Sequence, residues 1–87
     1  MILPDINLLL YAHNRRAGSH AAAHRWWKGL MEGADAVGIP WVVTTGFIRL
    51  VTHPSAMESP LSVGAAIDRV ESWFERDHVQ PLEPGPR

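Results

Sequence analysis

The chain opens on Met1, Ile2 and Leu3, three apolar positions with no polar alternation, the pattern of a strand buried on both faces of a parallel sheet. Pro4 ends that ladder because it has no N–H to donate. After Asp5, the residues Ile6, Leu8, Leu9, Leu10 and Tyr11 are apolar nearly all round, which predicts a short buried helix with Asp5 as its N-cap and residues 13–18 as the loop that follows. Ser19 caps a second predicted helix running to about Met31, with Ala23, Trp27, Leu30 and Met31 on one stripe and Gly33 closing it.

Residues 36–39 read as a second strand, again ended by a proline, Pro40. Helical spacing returns at Val43, Phe47, Leu50 and Val51 within residues 41–52, although Val and Thr are stiff at the β-carbon and weaken helix preference. A loop over residues 53–60 leads to the clearest helix, where Val63, Ala66, Ile67, Val70, Trp73 and Phe74 recur at i, i+3, i+4 and i+7. Val79 begins a third strand, which Pro81, Pro84, Gly85 and Pro86 are expected to break. The order strand, helix, helix, strand, helix, helix, strand is that of an α/β layered domain with a short parallel sheet. Two or three strands beside four helices leave part of the sheet uncovered, so residues 1–87 are expected to be one incomplete domain.

Composition fits a small packed domain. At 87 residues the chain holds at most one domain, with a thin stability margin, and its 46% hydrophobic content and four Trp exclude a disordered polymer. With no Cys, neither disulfides nor thiolate metal sites compensate for the small size, as expected of a cytoplasmic protein. The apolar start lacks a basic flank, contains Asp5 and is too short to span a bilayer, so neither signal peptide nor membrane anchor is expected. Eight Lys+Arg against nine Asp+Glu give a net charge of −1, so a nucleic-acid partner must be argued from a local site.

Ligands of open parallel sheets bind beyond the carboxyl ends of the strands, where Asp5 stands. A carboxylate there serves either as a helix cap or as a Mg²⁺ ligand, and Asn7 either orients it or bonds to nearby backbone. His20 and His24 share a helix face as metal-binding pairs do, without an evident third ligand. Arg25-Trp26-Trp27-Lys28 reads as a stacking and phosphate patch or as core packing with long cations at its rim. Arg49 interrupts an apolar face and is a candidate for a phosphate contact or an internal ion pair; Glu71 and Glu75 read as a solvated helix face.

Asp5-Ile6-Asn7-Leu8-Leu9-Leu10-Tyr11-Ala12 resembles the opening motif of PIN-domain ribonucleases, in particular the VapC toxins of bacterial toxin–antitoxin pairs. Residues 20–27 resemble the second-helix pattern of the mycobacterial-type subgroup, residues 46–54 resemble its third-helix motif, and the similarity runs on to Arg87. The resemblance implies a PIN-like three-layer α/β/α fold, truncated after about the third strand, and a metal-dependent endoribonuclease. In that family several acids at the carboxyl edge of the sheet bind Mg²⁺ or Mn²⁺, and the metal generates the attacking hydroxide. Asp5 matches the first of those acids, with Asn7 as its support. Gly46 stands where many PIN domains carry Glu, and the remaining family acids would lie beyond Arg87. The resemblance further implies RNA as substrate, a VapB-like antitoxin and a homodimer. This chain alone is expected to have little nuclease activity; the alternative is a non-catalytic remnant that binds the antitoxin or a full-length toxin.

Overall fold

The structure, a computed structural model, describes residues 1–14, 18–57 and 59–83. Its elements follow the order α1 (Ile6–His13), α2 (His20–Glu32), β1 (Val37–Pro40), α3 (Trp41–Val51), α4 (Val63–Phe74) and β2 (Val79–Leu82). This is the α/β class that the hydrophobic pattern predicts, with a parallel sheet at its centre. Among the described residues no helix is long and apolar enough to cross a membrane.

β1 lies in the middle of the sheet. Val37 and Ile39 pair with Val79 and Pro81 of β2, and on the other side Ile2 joins through a single parallel bridge to Val37. The predicted first strand over residues 1–3 is therefore reduced to one bridge, in which the Ile2 N–H donates to the Ala36 carbonyl and the Gly38 N–H donates to the Ile2 carbonyl, both at 2.9 Å. In a parallel ladder the next donor on that strand would be residue 4, and Pro4 has no N–H, so the ladder stops there.

The expectation that Pro81 breaks the third strand is overturned, because Pro81 sits inside β2. Val37 N–H donates to the His78 carbonyl at 2.8 Å, which sets the alternation so that residues 80 and 82 face β1 with their N–H groups. The nitrogen of Pro81 thus points to the outer edge, where no ladder bond is lost. Gly38, buried at the sheet centre, is covered by Met1 and Leu82; a Cβ there would come within 2.7 Å of Leu82 Cδ1.

Each helix start has its own chemistry. Asp5 caps α1 by accepting from the Asn7 N–H at 3.3 Å, and Ser62 caps α4 by accepting from the Ala65 N–H at 3.1 Å. Ser19 occupies the cap position of α2, but its side chain makes no cap hydrogen bond, contrary to expectation; its carbonyl accepts from Ala23 instead. The hydroxyls of Thr45 in α3 and of Thr52 at its C-cap donate back to the carbonyls of Trp41 and Ile48, so both are satisfied by the helix backbone. The α4 stripe is narrower than its spacing predicts: Ala66, Val70 and Trp73 are buried, while Val63 and Ile67 are exposed.

One aromatic ring from each helix enters the core. Phe47 of α3 and Trp73 of α4 meet edge to face at 4.8 Å between ring centres, Trp27 of α2 meets Trp73 at 5.1 Å, and His13 of α1 meets Phe47 at 4.9 Å. Such tilted pairs add to the burial of the rings themselves. The sequence places His13 in a loop; it is instead the last residue of α1, half-buried, with Nδ1 donating to the Leu9 carbonyl at 2.8 Å. Because a carbonyl only accepts, Nδ1 carries the proton of the neutral ring and Nε2 is bare. His78 is a second tie, its Nε2 donating to the Leu30 carbonyl at 2.7 Å and joining the end of α2 to the entry of β2.

Two outcomes test this core. Trp73→Ala removes the ring shared by three others and should cost about 3–5 kcal/mol, lowering the thermal midpoint by roughly 15–30 °C in circular dichroism; an unchanged melt would contradict the central role of the cluster. The proton affinity of His13 is lowered chiefly by desolvation, then by the charges of Arg69, His24 and His20, against the raising effect of the Leu9 bond. Below the ordinary histidine value of 6.5 the unfolded chain therefore binds more protons at His13 than the folded one. The stability this neutral ring contributes is present above that value and is lost as pH falls, so unfolding by urea at about pH 5.5 against about pH 7.5 should show a larger loss for the parent than for His13→Gln.

Candidate functional site

β1, β2 and the segment bridged through Ile2 run in parallel, so their carboxyl ends define one edge of the sheet, and the residues that follow are Asp5 after Pro4, Trp41 after β1 and Glu83 after β2. Pro4, which ends the ladder after Ile2, delivers the chain directly to Asp5 at the start of α1. Asp5 is exposed, with extended backbone dihedrals (φ −79°, ψ 139°) and Oδ1 held by the Asn7 N–H. Capping and metal binding are compatible here, since the cap engages one of two carboxylate oxygens. Asn7 reaches Asp5 through its backbone N–H, and its side chain is exposed.

Glu83 is a carboxylate that the hydrophobic pattern does not single out. It follows β2 at the same edge and, with Pro40, Trp41, Val42 and Leu82, lines a shallow cavity of about 250 Å³. Val79 marks the start of its strand in the sequence, but Pro81 has the look of a strand breaker and masks where that strand delivers its next residue. Asp5 and Glu83 do not converge, however: β1 stands between their strands, which separates them by roughly 10 Å at the backbone. Among the described residues no group of three His, Cys, Asp or Glu is placed to hold a metal ion.

The other candidates resolve into structural roles. The rings of His20 and His24 lie 5.4 Å apart, but His20 Nδ1 donates to the Tyr11 carbonyl at 2.9 Å, so it satisfies a carbonyl at the end of α1. Trp27 is buried and Trp26 half-buried against the core, which leaves no open stacking platform over residues 25–28. Arg49 is exposed in the last turn of α3, where the helix dipole favours a cation, and is not set against an internal carboxylate. Asp68, Glu71 and Glu75 are exposed, and Asp35 precedes β1 at the opposite edge.

Gly46 lies where α3 approaches α1: a Cβ there would come within 2.6 Å of Ile6 Cδ1. A longer side chain at this position requires Ile6 to move, so the absence of a carboxylate at Gly46 and the close helix contact go together.

No family model matches the chain. It is similar to Ribonuclease VapC33 of Mycobacterium tuberculosis, at 38% identity over 87 residues, covering all of this chain and 61% of the relative. Ribonuclease VapC37 of the same organism is 41% identical over 74 residues, 85% of this chain and 51% of the relative. Ribonuclease VapC25 is 33% identical over 87 residues, again covering 61% of the relative. The chain therefore spans about three-fifths of the length of the curated relatives that it matches end to end.

Capping and charge separate cleanly at Asp5. Asn caps as well as Asp, whereas Ala does not, so Asp5→Asn should melt within a few tenths of a kcal/mol of the parent and Asp5→Ala should lose about 0.5–2 kcal/mol in urea unfolding. Equal losses for both variants would show that the charge, not the cap, stabilises α1.

Proposed function

We propose that this chain, a relative of the VapC ribonucleases that corresponds to about three-fifths of their length, is the N-terminal portion of a VapC-type toxin of PIN-like fold. The activity of the whole protein on this reading is endoribonuclease cleavage of RNA supported by Mg²⁺ or Mn²⁺ in the cytoplasm, restrained by a VapB-like antitoxin. The observation that carries it is Asp5: a carboxylate at the start of a helix, at the carboxyl edge of a parallel sheet, inside a chain alignable end to end with named ribonucleases.

A divalent ion of the Mg²⁺ type needs several oxygen ligands in fixed geometry at about 2.1 Å. The residues present do not meet that requirement, since Asp5 stands apart from Glu83 and no group of three ligating side chains forms among the described residues. No hydrolytic step is therefore assigned to this chain by itself. Its contribution is one anchored carboxylate, with Asn7 as the positioning residue whose N–H holds Oδ1, and a rigid α1 that presents both. The exposed Trp41 and Val42 beside that edge supply apolar surface for the remainder of a longer protein or for a second copy.

The 87-residue chain should give no metal-dependent RNA cleavage on labelled transcripts, and turnover by it with Mg²⁺ or Mn²⁺ would overturn the statement that its acids are insufficient. In the longer protein carrying the downstream family acids, Asp5→Asn should lower cleavage by at least about a hundredfold with the melting temperature unchanged. Undiminished cleavage in that variant would remove Asp5 from the metal site.

A further inference from the structure

At the end of α1 away from Asp5, a cleft of about 220 Å³ opens between α1, α2 and α4. Its floor is made of Trp27, Trp73 and His13, members of the aromatic cluster. Its rim carries Lys28 from α2, Arg69 from α4 and Arg76 from the turn after α4, together with His24, and one carboxylate, Glu32. Three fixed cations against one anion is a local excess of two positive charges, in a chain whose net charge is −1. Among the described residues no carboxylate is within 4.0 Å of Lys28, Arg69 or Arg76, so none of the three is engaged in an ion pair.

Arg76 is half-buried and donates through Nη1 to the Ser72 carbonyl, which fixes the guanidinium at the cleft while leaving most of its donors unused. Ser72, whose hydroxyl donates to the Arg69 carbonyl at 2.6 Å, lies between the two arginines in sequence and lines the same cleft. Lys28 faces them from α2, so the cations surround the opening from two sides. Guanidinium groups recognise phosphate oxygens with paired donors, and a low-dielectric aromatic floor strengthens that attraction.

We infer that this cleft is a binding site for a phosphate group, taken either from the backbone of an RNA strand or from a free nucleotide. Arg69, Arg76 and Lys28 hold the phosphate oxygens, and the bare Nε2 of His13 meets the ligand as a donor once protonated. Burial chiefly, and the neighbouring charges of Arg69, His24 and His20 in addition, depress the proton affinity of His13, and an anion in the cleft offsets the charge contribution. The groups facing His13 are His20, His24, Lys28 and Glu32 from α2, Arg69 from α4 and Arg76 just beyond its end, so the sum of fixed charges there stays positive until a ligand arrives. The site is independent of the metal-binding reading of Asp5, because it lies at the other end of an eight-residue helix, about 12 Å away.

The test uses the 87-residue chain with chelator present, titrated with inorganic phosphate against sodium chloride of equal ionic strength, and observes the His13 ring and the Trp73 indole by NMR. Expected is a saturable shift of both signals in the millimolar range and a rise in the His13 titration midpoint. Arg69→Gln and Lys28→Gln should each weaken binding about tenfold, while Arg25→Gln, which removes an exposed cation of α2 outside the cleft, should leave it unchanged. Absence of a saturable shift, or equal weakening by Arg25→Gln and Arg69→Gln, would overturn the site. A single-stranded oligonucleotide without terminal phosphate, compared with a nucleoside monophosphate, identifies the source: tighter binding of the first assigns the cleft to RNA backbone, tighter binding of the second to a free nucleotide, and failure of both to compete with phosphate would refute it.

Discussion

The fold depends on the meeting of four rings, one from each helix. His13, Trp27, Phe47 and Trp73 form a connected set in which Trp73 touches the other three. A chain of 87 residues buries too little surface to tolerate loose packing, and these rings concentrate apolar area where every helix can share it. The cluster also pins α1 at its far end. A helix of eight residues so anchored transmits its position to its first residue, and that residue's cap is Asp5.

Prolines set the limits of the sheet, each by a local rule. Pro4 falls where the next donor to β1 belongs and ends the ladder; Pro81 falls one residue out of phase, where its nitrogen faces outward, and the strand continues. Pro40 closes β1 and at the same time caps the start of α3 with an extended backbone, so strand passes to helix without a loop. The result is a carboxyl edge with short, direct exits to helices, the arrangement that ligands of parallel sheets use.

Charge is distributed along α1 with opposite sign at its two ends. The start carries Asp5 in solvent, and the end opens into the cleft of Lys28, Arg69 and Arg76. A net charge near zero conceals this separation, because the acidic side chains of α4 stand on its exposed face while Arg69, and Arg76 just past its end, border the cleft.

The sequence by itself determined the helices and their inner stripes, because periodicity records which face of an element is dry: Trp27 and Met31, Phe47 and Val51, and Val70 and Trp73 are buried where the spacing puts them. It also determined the cap at Asp5, since an acid between a strand-ending proline and an apolar run has few other local uses. Contacts distant in sequence were decided only by the tertiary structure. His13 reads as a loop residue until Phe47 and Trp73 are brought around it; Pro81 reads as a breaker until the phase of the ladder is set by Val37; and the basic cleft does not exist until α2 (His20–Glu32) and α4 (Val63–Phe74), far apart in sequence, face each other. Local pattern encodes which side of an element meets water, whereas hydrogen-bond phase and the convergence of charges depend on which elements become neighbours.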